Sequence, residues 1–182
     1  PADFMSQKSL EKMEGIYVPF WLYDYEVSYD YAGEGIKIRS WTSGDTEYTE
    51  TSYYEVIRNM EVDFDRIPVD ASYAMDDGIM DLMEPYNYQE LEGFNPKYMS
   101  GFLGEVYNQR APELEGRAKV KARNSSQEMM QASFGAYNTV RPFRNDLNLS
   151  RNGVHYVLMP VWQYLYQYRG QTYQYHVNGQ TG

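Results

Sequence analysis

Two histidines, His155 and His176, are the side chains of this 182-residue chain best suited to metal or acid–base chemistry. Both fall on stretches that alternating large and polar residues predict to be strands. Two histidines need a carboxylate or a water to complete a metal shell, and the H-E-x-x-H spacing of helical zinc sites is absent. We therefore predict no metal site and interpret both histidines as surface or edge residues.

A group of carboxylates is the second candidate: Asp76, Asp77, Asp81 and Glu84. The last three are spaced i, i+4, i+7 and share a helix face, an arrangement that could bind a divalent cation weakly. We favour another interpretation, in which the first two acids stabilise a helix N-terminus. Because no nucleophile elbow, phosphate loop or dinucleotide fingerprint is present, we predict no catalytic residue, no cofactor and no enzyme. A hydrolase built from these groups is a third-ranked alternative.

A repeated motif, Pro-x-Trp-x-Tyr-x-Tyr, marks the elements that would position any site. It occurs at residues 19–25 and again at residues 160–166. Large residues at every second position have the period of a strand, so we predict two long aromatic strands that form a central pair. With 20 tyrosines in the chain, two interpretations stay open. The aromatic rows either form the inner face of the sheet or line an open groove that stacks a ligand.

Strand patterns occupy the two ends of the chain and helical patterns its middle. This order predicts an α+β fold with antiparallel sheet and about two helices, and the repeated motif suggests an internal duplication. We predict one domain over residues 1–182. The predicted helices are residues 6–13, 72–83 (with Ser72 as cap) and 111–134. The predicted turns that separate the strands are residues 32–35, 43–45, 152–153 and 169–170.

The net charge of −10 argues against nucleic acid as a partner, because phosphate backbones are recognised by basic surfaces. No apolar run approaches the roughly 20 residues of a membrane helix, so we predict no direct membrane insertion. The chain has no cysteine, which excludes disulfides and cysteine zinc ligands within it. We expect the chain to be an excised piece of a longer protein.

An irregular stretch, residues 86–104, lies between the predicted helices and is rich in glycine, proline and aromatic residues. Aromatic loops on a rigid scaffold often carry binding. We predict that this loop is an interaction surface, with the candidate contact residues Tyr86, Tyr88, Phe94, Tyr98 and Phe102.

Six segments of the chain resemble the central domain of a bacterial family of TFIIB-type zinc-ribbon membrane proteins from Firmicutes, sometimes labelled replication restart helicase-like. These segments are GIYVPFWLYD (15–24), IPVDAS (67–72), LMEPY (82–86), FNPKYMSGF (94–102), YVLMPVW (156–162) and VNGQTG (177–182). The resemblance implies that zinc ribbons precede this domain and membrane segments follow it. It further implies a cytoplasmic protein tethered to the membrane. Some relatives occur beside membrane-stress proteins, which suggests a scaffold.

Our leading functional prediction is a non-enzymatic protein-interaction or scaffold domain that binds a protein partner. The alternative is a ligand-binding module that takes a glycan, a peptide or a small molecule in a Tyr- and Trp-lined groove. Where the aromatic side chains point would distinguish the two.

Overall fold

A computed structural model describes residues 10–182, and within them the dominant element is a five-stranded, mostly antiparallel sheet. Its strands are β1 (Leu10–Ser43), β2 (Thr46–Asp70), β3 (Phe102–Gly104), β4 (Thr139–Tyr168) and β5 (Gln171–Asn178). The hydrogen-bonded order is β2-β1-β4-β5, and the short β3 pairs in parallel with β1. The two strands that carry the repeated motif are therefore the central pair, as predicted.

The described residues also form two α-helices, α1 (Asp77–Leu82) and α2 (Ala111–Ala132), and the 3-10 helices Tyr88–Glu90 and Pro96–Met99. The Asp76 side chain caps α1 by accepting a hydrogen bond from the Ile79 amide at 3.0 Å. Ser72, the predicted cap, instead accepts from the Ala74 amide. At the start of α2, the Glu113 carboxylate accepts from the Arg110 amide at 2.7 Å.

The predicted α+β class is wrong in the balance of strand and helix. Strands account for most of the described residues and helices for a minority, and the long strands belong to one sheet that is not closed. The predicted helix over residues 6–13 is wrong for residues 10–13, because the chain is strand from Leu10 onward. The remainder of that prediction lies outside the described residues.

Glycines explain why the strands are longer than predicted. We expected turns at residues 32–35 and 152–153, yet β1 and β4 run straight through them. A Cβ on Gly33 would collide with the Arg141 carbonyl oxygen, and one on Gly153 would collide with the Asp24 carboxylate. These glycines allow close approach within the sheet rather than a change of direction. The predicted turns at Gly44 and Gly170 are confirmed, and both have positive φ.

The chain divides into two compact units. The first contains residues up to Leu22 together with Pro68–Glu115 and Val154–Gly182, and the second contains Tyr23–Ile67 and Gly116–Gly153. Since β1, β2 and β4 contribute residues to both units, the single domain over residues 1–182 stays a prediction.

The first unit is built around a core of mainly aliphatic side chains. Alternate residues of β1 and β4 pack with Met80 of α1 and with Tyr86, which follows it. The strand members are Ile16, Val18, Phe20, Met159 and Val161. The Phe20 and Tyr86 rings meet edge to face at 6.2 Å. Asn178 secures the end of β5 by donating from its Nδ2 to the carbonyl oxygens of Met83, at 2.6 Å, and Pro85.

The second unit is built around tyrosines. Tyr29 and Tyr31 of β1 pack with Val56 of β2, with Met130 of α2 and with Phe134. The Tyr31 and Phe134 rings lie 4.7 Å apart, and the Tyr29 hydroxyl donates to Asn145 Oδ1 at 2.6 Å. The buried side of α2 in this unit has small residues at every fourth position, which lets the helix pack closely. They are Ala118, Ala122 and Ser126.

Across the described residues, no helix has both the length and the apolar character needed to cross a membrane.

Candidate functional site

The two histidines and the acids around α1, which are the first candidates for chemistry in the sequence, lie on different elements of the structure. His155 is exposed on β4, whereas His176 is half-buried on β5 and burial lowers the pKa of its imidazole. Asp76 is occupied as a helix cap. Within residues 10–182, no three His, Cys, Asp or Glu side chains come together in a way that could hold a metal ion.

The first unit instead contains a groove of about 610 Å³, which we call the aromatic groove. The strands contribute Tyr17 from β1 and Tyr156 and Leu158 from β4. The loop between α1 and α2 contributes apolar and aromatic side chains: Leu91, Phe94, Tyr98, Val106 and Tyr107. This volume lies within the range of roughly 300–1,000 Å³ that is typical of ligand sites.

A short parallel pairing fixes the loop against the sheet. Phe102 aligns with Gly15 and Gly104 aligns with Tyr17, and the Glu105 amide donates to the Tyr17 carbonyl oxygen at 3.0 Å. The Phe102 ring lies over Gly15, where any side chain would collide with it. Phe102 also packs on Tyr17, with ring centroids 5.0 Å apart. Gly15 is therefore needed for the loop to dock.

Two asparagines begin the 3-10 helices of this loop. Asn95 Oδ1 accepts from the Lys97 amide at 3.0 Å, and Asn87 Oδ1 accepts from the Gln89 amide at 3.2 Å. Pro96 favours the helical start after Asn95. The 3-10 helix Pro96–Met99 carries Tyr98 at the groove.

Three rings form a closed cluster beside the groove. Trp21 lies 5.6 Å from Tyr107 and 5.2 Å from Tyr156, and the two tyrosines lie 5.5 Å apart. The Trp21 indole donates to the Gln109 carbonyl oxygen at 3.0 Å, which orients the ring. Tyr107 and Tyr156 each remain 43% exposed, so both keep surface for a ligand. Burial and the neighbouring Tyr107 raise the pKa of Tyr156.

The charge on the groove lining is negative. Glu92 and Glu105 are its ionisable acids, and its described lining contains no lysine, arginine or histidine. The Tyr98 hydroxyl donates to Glu92, and this hydrogen bond, together with the carboxylate charge, raises the pKa of Tyr98.

The five residues predicted as an interaction surface divide into two groups. Phe94 and Tyr98 are exposed and line the groove. Tyr86 is a core residue whose hydroxyl donates to the Pro160 carbonyl oxygen at 3.3 Å, and Tyr88 packs against the same core. Phe102 docks the loop and contacts Trp162 at 5.2 Å. The predicted role of the loop in binding itself stays a prediction.

Sequence reasoning missed the strand residues Tyr17 and Tyr156 and the loop residue Tyr107. A signal was present for Tyr17, which lies between Ile16 and Val18. Because alternate residues of a strand face opposite ways, an aliphatic core that takes Ile16 and Val18 leaves Tyr17 on the other face.

The chain is similar to a curated bacterial protein. The chain is 34% identical over all of its 182 residues to the uncharacterized protein YdjG of Bacillus subtilis (strain 168), of which the match covers 53%. The chain thus spans about half the length of this curated relative. No protein-family profile and no solved structure matches the chain.

Proposed function

We propose that this chain is a non-enzymatic protein-interaction domain that binds a segment of a partner protein in the aromatic groove. The observation that carries the proposal is the groove itself, in which exposed apolar side chains of a docked loop face tyrosines of two strands. Phe94 is 71% exposed and Val106 is 75% exposed. A cluster of exposed apolar side chains in a concave site is typical of an interaction surface.

The matched pair Phe94 and Phe143 tests this proposal. Phe143 is 77% exposed on the part of β4 that belongs to the second unit, so replacement of either side chain leaves the cores intact. A displayed library of random peptides would be panned on the wild-type chain, and enriched peptides would be measured against Phe94→Ser and Phe143→Ser. We expect Phe94→Ser to weaken binding by about tenfold, equivalent to ~1.4 kcal/mol, and Phe143→Ser to leave it unchanged.

Two results would overturn the proposal. One is that no peptide is enriched on the folded chain. The other is that the two phenylalanine variants weaken binding equally, which would place the peptide outside the groove.

A ligand-binding module is the second candidate, and the closed ring cluster favours it. Tyr107 and Tyr156 present rings fixed by Trp21, and aromatic faces of this kind stack sugars and small planar molecules. A glycan and metabolite screen on wild type and Tyr107→Ser would support this candidate if a neutral small molecule bound and the variant lost it.

For the longer protein we propose the setting that the sequence resemblance implies. In that setting the chain is the central domain of a zinc-ribbon protein and acts as a scaffold at the cytoplasmic side of a membrane. Fractionation of cells that express the full-length protein tests this. Recovery of the protein in the membrane pellet, together with zinc bound outside residues 1–182, is the expected result.

A further inference from the structure

We propose that the segment bound in the aromatic groove is basic, that is, a peptide that places a lysine or arginine side chain against Glu92, Glu105 and the surrounding tyrosines. This inference rests on the proposed interaction function and specifies the chemistry of its partner.

The lining of the aromatic groove carries negative charge. Glu92 and Glu105 are its charged side chains among the described residues, and in that part of the chain neither forms an ion pair with lysine or arginine. Arg110, which follows in the same loop, is held by Glu113 at 3.0 Å. The two groove carboxylates are thus available to a cation from another molecule.

A third carboxylate extends the negative surface. Glu90 lines an adjoining pocket that shares Tyr17, Glu92 and Tyr98 with the groove. Its two oxygens accept from the side-chain amides of Asn87, at 2.8 Å, and Gln180, at 3.0 Å. These neutral donors orient the carboxylate without cancelling its charge.

The groove lining is also rich in aromatic rings. Ring faces attract ammonium and guanidinium groups through their quadrupole, most strongly where water is displaced. The lining provides five such rings, from Tyr17, Phe94, Tyr98, Tyr107 and Tyr156. Rings and carboxylates at one site suit a side chain with an apolar stem and a cationic end, which is the form of lysine and arginine.

Long-range electrostatics also favours a basic partner. With a net charge of −10, the chain attracts basic partners and repels acidic ones before contact. A neutral or acidic peptide would leave Glu92 and Glu105 without compensation when it covered them, which costs free energy.

The experiment uses the tightest library peptide, which is called the basic version, and two synthetic versions of it. In the glutamine version every lysine and arginine is replaced by glutamine, and in the glutamate version each is replaced by glutamate. We expect the basic version to bind the wild-type chain about tenfold tighter than the glutamine version, and its affinity to fall as salt is added. The double variant Glu92→Gln, Glu105→Gln should bind the basic and glutamine versions equally.

The matched control is Glu47→Gln, Glu50→Gln, which makes the same change in net charge at two exposed positions of β2 in the second unit. It should retain most of the preference for the basic peptide. If it abolishes the preference as fully as the groove variant does, net charge rather than the groove selects the peptide and the inference is wrong.

The outcomes separate this inference from the proposed function. Enrichment of neutral or acidic peptides that lose affinity in Phe94→Ser would overturn the basic partner and support the interaction function. Failure to enrich any peptide would overturn both.

Discussion

The tyrosines of the second unit and those of the aromatic groove are the same residue type used in opposite ways. Tyr29 and Tyr31 are each 4% exposed and pack against α2 and β2. Tyr107 and Tyr156 are each 43% exposed and touch mainly aromatic neighbours. Tyr17 and Tyr31 even belong to the same strand. What packs against a ring, rather than the ring or its strand, therefore decides whether it is buried in a core or keeps an exposed surface.

The largest expected effect comes from removing a buried ring. Tyr31→Ala should lower the free energy of unfolding by about 3–5 kcal/mol, because it deletes a large core side chain and leaves a cavity beside Phe134. Tyr156→Ala should cost about 1–2 kcal/mol, mainly through lost ring contacts. Urea denaturation of both variants measures the difference. Equal losses would mean that Tyr156 is architectural too, and the comparison would fail.

Glycine substitutions should have the next largest effect. Gly33→Ala should lower stability by about 1–3 kcal/mol, since its Cβ would force β1 away from the Arg141 backbone. Gly116 lies inside α2 with open space around it, so Gly116→Ala should raise stability by about 0.5–1 kcal/mol. Thermal unfolding of the two variants would show shifts of opposite sign. If Gly33→Ala left the stability unchanged, β1 and β4 would be able to separate at this point without cost.

These glycines also show where sequence reasoning about the fold stopped. The alternation in β1 predicted a row of large residues on one face and left open whether that row is buried or lines a groove. In the structure Tyr23, Tyr25, Tyr29 and Tyr31 are buried. The same reasoning took residues 32–35 and 152–153 as turns. Local sequence cannot distinguish a glycine that bends the chain from one that admits a neighbouring backbone, because the neighbour is supplied by tertiary structure.

The candidate site was predictable only in part for a related reason. The loop could be identified from its composition, and Phe94 and Tyr98 do line the groove. Composition could not show that Tyr86 and Tyr88 turn into the core, because that depends on where α1 places them. Composition also could not show that the loop lies beside Tyr17 and Tyr156, because these residues are distant in sequence and the sheet brings them to the loop.

Tyr86 extends the comparison to a buried tyrosine of the loop. Burial and the nearby Glu84 charge raise the pKa of the Tyr86 hydroxyl well above its usual value near 10. The folded state therefore holds this proton more tightly than the unfolded chain does. The resulting stability is present in full below about pH 10 and is lost as the pH rises toward the folded-state pKa.

Tyr86→Phe should flatten this alkaline loss and, at neutral pH, cost about 0.5–1 kcal/mol for the hydrogen bond to Pro160. Urea denaturation at a series of pH values tests it. Tyr53→Phe, which removes the same hydroxyl group at an exposed position of β2, is the matched control. An unchanged profile for Tyr86→Phe would contradict the buried placement of that hydroxyl.

The smallest expected effect concerns Tyr98, whose pKa is raised for a different reason, namely its hydrogen bond to Glu92 and the charge of that carboxylate. Glu92→Gln keeps a hydrogen-bond acceptor but removes the charge, so the pKa of Tyr98 should fall toward 10 while that of Tyr86 stays raised. Ring NMR signals of labelled tyrosine, followed through an alkaline titration, resolve the two residues. Glu90→Gln is the control, because that carboxylate is held by Asn87 and Gln180 instead. An unchanged Tyr98 in Glu92→Gln would mean that Glu92 points away from the ring, and the basic-peptide inference would then lose one of the two charges on which it depends.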